Sequence, residues 1–350
     1  MTSFEVEPKA KFVAAWITYL ATATGILKSL GVKTDLVDVG GYTGYAFHIN
    51  TAKGNTCPSA PTVAPFSKFV EGLESLGWKI EQTWEGPSYN PSKDRKELER
   101  AANYFSEIKD IIQITGRPVG IWGIPEVPEF GIVNGFDDDK YLVSTFRGLP
   151  PTPMKETPIS HTNLHAPGGL FKMIFRETIE VNDDSVRDKE AVSRAIEIAK
   201  GIEKIEGYVV GPEAFDDWAH TLEIGIVPRS EKDAAEKKGT TQLSYHGNSY
   251  VAQCTQEGLD LAAEFLQRLA NRYKGQQIEN TLINASKEYR KAAEAMKEFT
   301  DLFLFSLEKN WIPEEFPDEK RIEGARALRV AKSHVESGIK QMENAIAKWK

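Results

Sequence analysis

The sequence has few cysteines and no excess of positive charge, and both absences narrow what the protein can do. Only two cysteines occur in 350 residues, Cys57 and Cys254, which is too few for a disulfide framework and favours a reducing compartment. The 43 lysines and arginines are outnumbered by 51 aspartates and glutamates, which gives a formal net charge of -8. Nucleic-acid binding relies on clustered Lys and Arg. The sequence therefore predicts no nucleic-acid partner.

Long apolar runs are also scarce. The best candidate, residues 12–27, resembles the hydrophobic core of a signal peptide with an Ala-Thr-Ala cleavage site. However, Glu5 and Glu7 precede it, whereas signal peptides begin with a plainly basic segment. The apolar spacing continues to Leu30 with a helical period, which predicts a buried helix over 11–30. No other segment reaches transmembrane length without charges, so we predict a cytoplasmic protein without a membrane partner.

The remaining composition, 41% hydrophobic and 27% charged, is that of a folded globular protein long enough for two domains. Strand patterns are confined to the first half, at 46–49, 118–123, 130–133, 141–146 and 170–180, with a hairpin turn at 137–139. After residue 182 the periodicity is helical, at 184–205, 212–224, 248–273, 278–311 and 318–349, with a charged loop at 230–241. We therefore predict an α+β domain over 1–181 and an all-helical domain over 182–350.

Cys57 is the first candidate for chemistry. It lies in the rigid turn Asn-Thr-Cys-Pro-Ser-Ala-Pro, after a predicted strand that contains His48. A reactive thiol needs a base, a cation or a helix N-terminus nearby to lower its pKa. His48 is close in sequence and is the candidate base. The alternative is a buried, unreactive cysteine, which is the common fate of a free thiol.

His161 and His165 have a spacing that would suit a metal ion on a helix. Prolines and glycines flank the pair, so we predict a loop that contacts a ligand or the other domain rather than a metal site. The Gly-rich segment around Tyr42 does not follow a strand–loop–helix pattern with a Lys, which disfavours a phosphate cradle and favours tight packing. The sequence predicts neither a metal nor another cofactor.

Several separated motifs resemble one family. They are Leu-Lys-Ser-Leu-Gly at 27–31, Val-Gly-Gly-Tyr-Thr-Gly-Tyr-Ala-Phe at 39–47, Cys-Pro-Ser at 57–59, Ile-Thr-Gly-Arg-Pro-Val-Gly at 114–120, Glu-Phe-Gly-Ile-Val-Asn-Gly-Phe-Asp-Asp at 129–138 and Gly-Pro-Glu-Ala-Phe-Asp-Asp-Trp at 211–218. Together they resemble the papain-like group that includes the bacteriocin-leader peptidases and the butirosin biosynthesis H protein. The resemblance covers residues 12–310 in order. It implies a central helix packed on an antiparallel sheet, followed by a helical C-terminal domain.

The resemblance also implies a Cys–His–acid site, and this chain departs from it at every position. The thiol position at the start of the central helix falls near Thr18, and the histidine position falls on Glu129. The acid position falls near Ser144 or Thr145. Threonine is a poor nucleophile without a strong base, and a glutamate with the ordinary pKa of about 4.3 is a weak one. Burial would raise that pKa and make Glu129 a usable acid or base.

Two functions follow as expectations. The first is a catalytically altered or inactive papain-like protein that binds a small molecule or peptide in the cleft between its two halves. The alternative is an acyltransferase or amide hydrolase that uses Cys57 or Glu129, with an acyl carrier protein as a partner implied by the resemblance. The candidate catalytic residues are Cys57, Glu129 and Thr18. The candidate ligand-binding residues are Trp16, Tyr42, His48, Asn134, His161 and His165.

Overall fold

The computed structural model describes residues 3–54, 56–91, 94–150, 155–224, 241–306 (backbone alone at 241–244) and 317–349. These residues form an antiparallel seven-stranded sheet, a two-stranded sheet and nine α-helices. The C-terminal part is helical, and the predicted α+β class is confirmed. Within these ranges, none of the helices combines the length and the apolar composition that a membrane span requires.

The chain forms two compact units. The first comprises Met1–Val39 and Val70–Asn182, and the second comprises Gly40–Phe69 and Asp183–Lys350. The predicted boundary after residue 181 lies next to the one at Asn182. Residues 40–69, which the sequence placed in the first domain, group with the second unit.

The first unit is built on the seven-stranded sheet. Its strands are β1 (Ser3–Glu5), β3 (Trp78–Glu85), β4 (Val119–Trp122), β5 (Phe130–Asp137), β6 (Lys140–Ser144), β7 (Ile159–Ser160) and β8 (Leu170–Thr178), whereas β2 (Asn50–Ala52) belongs to the second unit. The order is β3-β8-β4-β5-β6-β7, with β1 paired to β5 and all pairs antiparallel. The predicted aspartate turn is confirmed between β5 and β6, where Asp138 has a φ of 51°. Aspartate tolerates this left-handed conformation better than most residues.

Helix α1 (Thr18–Ser29) packs against β5 and β4 and is buried from Thr18 to Leu27. A Cβ on Gly25 would lie 2.2 Å from the Lys11 carbonyl oxygen and 2.8 Å from the Ile132 side chain. A small residue is therefore required there. The prediction that the helix starts at residue 11 is wrong. Residues up to Phe12 bond to β5 and β6 instead, because Phe12 N–H donates to Ser144 Oγ at 2.9 Å.

Two elements of the first half were missed by the sequence. Helix α2 (Leu36–Thr43) contains two adjacent glycines, which are poor helix formers. A Cβ on Gly41 would lie 2.1 Å from the Phe265 ring, so close packing requires a glycine there. Strand β3 was also missed, and the strand predicted at 46–49 is a 3-10 turn at Tyr45–Phe47 followed by β2 (Asn50–Ala52). The remaining helices of this half are α3 (Phe66–Glu74) and α4 (Arg95–Thr115).

The second unit is mostly helical. Its helices are α5 (Asp184–Ala199), α6 (Glu213–Ile224), α7 (Thr241–Arg272), α8 (Glu279–Leu302) and α9 (Asp318–Lys348), and β9 (Tyr208–Val210) pairs with β2. Helix α9 packs on α8 and α6. A Cβ on Gly338 would lie 2.7 Å from the Tyr289 ring, so α8 and α9 cross closely at that glycine. The predicted loop at 230–241 lies outside the described residues apart from Thr241, which begins α7.

Candidate functional site

Thr18 is the first residue of α1, so its hydroxyl lies at the helix N-terminus. The preceding residue, Ile17, provides no side-chain cap. The first N–H groups of a helix lack intrahelical partners and carry a partial positive charge. The Thr18 side chain is only 6% exposed, so any group beside it sits largely out of solvent.

Glu129 is the last residue before β5 and is held by a closed loop. Gly123 N–H donates to the Glu129 carbonyl at 2.8 Å, and Glu129 N–H donates to the Val127 carbonyl at 2.7 Å. The loop contains Pro125 and Pro128, which restrict its backbone further. The half-buried Glu129 side chain is therefore presented by a backbone with little freedom.

The structure brings Thr18 and Glu129 together. The Thr18 hydroxyl donates a short hydrogen bond to Glu129 Oε2, and Phe130 N–H donates to Thr18 Oγ1 at 3.2 Å. The positions that the resemblance assigns to the thiol and the imidazole thus meet at the start of α1. The hydroxyl proton already points at the carboxylate. A threonine hydroxyl is a poor nucleophile unless a strong base removes its proton.

The position assigned to the third group holds no acid. Ser144 Oγ accepts the hydrogen bond from Phe12 N–H, which ties the N-terminal segment to β6. Thr145 begins a 3-10 turn, and its hydroxyl lies 3.1 Å from both carboxylate oxygens of Glu156. Both side chains support neighbouring backbone. The third position therefore has no acidic side chain of its own that could orient an imidazole, and it holds no imidazole itself.

A second carboxylate, Glu126, clamps the loop that carries Glu129. One Glu126 oxygen accepts from Arg147 at 2.7 Å and the other accepts from Asn163 at 2.9 Å. Glu126 has a φ of 61°, a conformation that costs free energy in a residue with a Cβ. Burial raises the pKa of Glu126, but the hydrogen bonds and the charge of Arg147 outweigh it and hold the pKa below its usual value. The strained residue is thus fixed by its own ionised side chain.

Aromatic rings surround the base of this site. Tyr19 and Phe130 pack edge to face at 5.4 Å, and Trp122 lies 4.7 Å from Phe130. Trp84 lies 6.4 Å from Trp122 and is 39% exposed. Trp16, two residues before Thr18, is 36% exposed. The sequence identified Trp16 but missed Trp84, because strand β3 itself was missed.

Asn134, a candidate ligand-binding residue, has a structural role in the first unit. Its Oδ1 accepts from Ala10 N–H at 2.8 Å, and its Nδ2 donates to the Ala10 carbonyl at 2.9 Å. The side chain is 4% exposed. Both ends of the amide hold the N-terminal segment on β5, and the expected ligand contact of Asn134 stays a prediction.

His161 and His165 also belong to the first unit, in a 3-10 turn and the loop after it. His161 Nδ1 lies 2.8 Å from the Asp139 carbonyl, and its ring packs 5.0 Å from Phe105. His165 N–H donates to the Gly123 carbonyl at 2.9 Å, which supports the loop of Glu129. Among the described residues, no three His, Cys, Asp or Glu side chains are grouped as a metal site.

Tyr42 lies in the second unit, in a hub around the fully buried Asp188. Tyr42 OH donates to Asp188 at 2.7 Å, Tyr273 OH donates at 3.0 Å, and Arg272 forms an ion pair at 2.5 Å. Burial and the Asp188 charge raise the pKa of Tyr42 to about 12. The hub joins α2, α5 and α7. It is a structural network that sequence reasoning missed, since no local pattern marks Asp188.

His48, also in the second unit, is largely buried. Its Nε2 lies 3.3 Å from the Val63 carbonyl, which also accepts from Asn50 Nδ2 at 2.7 Å. A carbonyl only accepts, so Nε2 carries the proton. Burial lowers the pKa of His48 to about 4. A neutral imidazole with so low a pKa, and with this nitrogen occupied, is a poor general base.

Cys57 is half-buried and ends a short hydrogen-bond chain. Ser59 Oγ donates to Cys57 Sγ at 3.0 Å and lies 2.7 Å from Tyr208 OH. Burial, with the neighbouring Cys57, raises the pKa of Tyr208, although the Ser59 contact lowers it. Cys254 is buried on α7. Cys57 is therefore the more accessible thiol. Its sulfur accepts a hydrogen bond from the Ser59 hydroxyl, which is not a basic group.

The sequence matches no protein-family model and resembles no curated protein closely enough to indicate a relationship. The papain-like resemblance therefore stays a prediction from the sequence motifs.

Proposed function

We propose that the first unit is a papain-like domain in which Thr18 and Glu129 replace the catalytic thiol and imidazole. The observation that carries this proposal is the hydrogen bond between them at the N-terminus of α1, beside an antiparallel sheet. An alignment of motifs need not bring two such residues into contact. Two residues that replace the thiol and the imidazole of one catalytic site must lie in contact, and Thr18 and Glu129 meet this requirement.

The protein binds a small molecule or peptide at this site and does not cleave it. A threonine hydroxyl is a poor nucleophile without a strong base, and this site holds no imidazole at the position of the general base. The exchange of imidazole for carboxylate also adds a negative charge at the site. A ligand with an amine or another cationic group is favoured there over an anionic one.

The cytoplasm is the proposed location, because two thiols without a disulfide framework suit a reducing compartment. The acidic net charge supports small-molecule, peptide or protein partners rather than nucleic acid. An acyl carrier protein is a partner of the alternative function only, since only acyl transfer would need one.

The alternative is acyl transfer at Cys57, which its hydroxyl donor Ser59 favours. In that reaction the Cys57 thiolate attacks an acyl thioester, a new thioester bond forms to Cys57, and the carrier thiolate leaves. This function predicts that Cys57→Ala abolishes turnover of an acyl thioester. The binding proposal predicts no turnover in the unmodified protein.

Native mass spectrometry tests the binding proposal. Freshly purified protein, or protein incubated with a small-molecule and peptide extract, is expected to carry a stoichiometric adduct. Glu129→Gln is expected to lose most of it. Glu99→Gln is the matched control, because Glu99 is an exposed carboxylate on α4. A bare chain mass in every sample, or equal adducts in the two variants, would contradict the proposal.

A further inference from the structure

A groove on the helical second unit lies outside every candidate residue discussed above. It has a volume of about 420 Å³ and is bounded by the last turn of α6 and the first half of α9. Binding sites for small molecules fall in the range of about 300–1,000 Å³. The groove is therefore of a suitable size for a ligand of modest length.

One face of α9 sets the chemical character of the groove. Ile322, Arg326 and Val330 are spaced by four residues, so they lie along one side of the helix over about 12 Å. Ile322 is 54% exposed and Val330 is 42% exposed. An apolar side chain thus stands on each side of a cation. Ligand sites combine apolar side chains with a small number of polar or charged groups that orient the ligand.

The other titratable groups of the lining are already paired. Arg329 forms two parallel hydrogen bonds to Glu223, at 2.6 and 2.8 Å. His334 Nδ1 lies 2.7 Å from Glu288. These pairs fix the walls of the groove. The nitrogen atoms that form them are already engaged and do not face a ligand as open donors.

Arg326 is the cation of the lining that forms no such close pair among the described residues. Within the part of the chain that the structure describes, its closest ion-pair distance is 3.9 Å, to Glu323, which is too long for a hydrogen bond. Its side chain is 66% exposed. A guanidinium with available donors binds a carboxylate through two parallel hydrogen bonds.

We infer that this groove binds a small amphipathic anion, a carboxylate carried on an aliphatic or aromatic body. Arg326 binds the carboxylate, and Ile322 and Val330 pack against the body. The site is independent of Thr18 and Glu129, so the two proposals stand or fall separately.

Methyl NMR of the full chain tests the inference, with octanoate as the probe. Octanoate is expected to shift the Ile322 and Val330 methyl signals in a saturable way, and octylammonium, which has the same tail, is expected to bind at least about fivefold more weakly. Arg326→Gln is expected to weaken octanoate binding by about fivefold to tenfold. Arg290→Gln is the matched control, because Arg290 is a similarly exposed arginine on α8 that pairs with Asp260.

Three results would overturn the inference. Equal binding of octanoate and octylammonium would identify a merely apolar surface. Unchanged octanoate binding in Arg326→Gln would remove the role of the cation. Shifts caused by phosphatidylglycerol vesicles but not by free octanoate would assign the groove to a lipid headgroup instead of a small molecule.

Discussion

Restoring a thiol and an imidazole at residues 18 and 129 should create a reactive cysteine. In the double variant Thr18→Cys with Glu129→His, the new thiol would lie at the N-terminus of α1 and beside an imidazole. In the single variant Thr18→Cys, the same thiol would lie beside the Glu129 carboxylate. The two variants differ chiefly in the sign of the neighbouring charge, which makes them a matched pair.

The expected difference follows from the contact between the two side chains. A unit charge about 4 Å away contributes about 1 kcal/mol at the dielectric constant of water, and replacing an anion by a cation doubles this to about 2 kcal/mol. That corresponds to about 1.5 pKa units for the thiol. Because the site is half-buried, the water value is a lower bound. At pH 7 the double variant then has about 25-fold more thiolate, and its lower intrinsic nucleophilicity reduces the gain in rate to about fivefold.

The assay is iodoacetamide alkylation across pH 5–10, with peptide mapping to separate the new thiol from Cys57 and Cys254. The inflection for residue 18 should lie at least about 1.5 pH units lower in the double variant. Thr22→Cys, at a fully buried position one turn later, should react slowly at every pH. Identical profiles in two folded variants would refute the proposed juxtaposition of residues 18 and 129.

Three further predictions concern the supporting structure. Asp188→Asn should lower the free energy of unfolding by about 2–4 kcal/mol in urea titrations, because it leaves Arg272 without its buried partner, and a loss below about 0.5 kcal/mol would contradict the hub. His48 has a folded pKa of about 4, below its unfolded value, so its contribution to stability is full above about pH 6.5 and falls as the pH decreases towards 4. Between pH 7 and pH 5 this costs about 2 kcal/mol, and His48→Leu should remove that part of the slope. Arg147→Gln should release Glu126 and speed amide exchange at Gly123 and Glu129 about tenfold, whereas unchanged protection would show that the clamp does not hold the loop.

The sequence predicted those parts of the fold that local patterns encode. The apolar runs gave β4 and β5, the three aspartates gave the turn between β5 and β6, and the long amphipathic segments gave the C-terminal helices. It failed where distant packing decides the conformation. Residues 11–17 have helical spacing but form no helix, and the backbone N–H groups of Ala10 and Phe12 bond to Asn134 and Ser144 instead. Helix α2 forms despite two glycines.

The candidate site was predictable only through the resemblance. Nothing in the local sequence of Thr18 or Glu129 indicates that they meet, since 111 positions separate them. The resemblance assigned both residues to one site, and that assignment stays a proposal. The Glu126 clamp and the Asp188 hub left no local signal, because each is defined by partners far away in the chain. Asn134 and Tyr42 stood out as polar residues in buried motifs, which suits structural bonding as well as ligand binding.

The central claim, that Thr18 and Glu129 occupy a former catalytic site without covalent activity, is tested most directly by intact-mass and turnover measurements with an acyl thioester at pH 7. The unmodified protein should show no stoichiometric acyl adduct, and its turnover should equal that of Glu129→Gln. An acyl group mapped to Thr18, Glu129 or Cys57, or a turnover lost in Glu129→Gln or Cys57→Ala, would contradict the account.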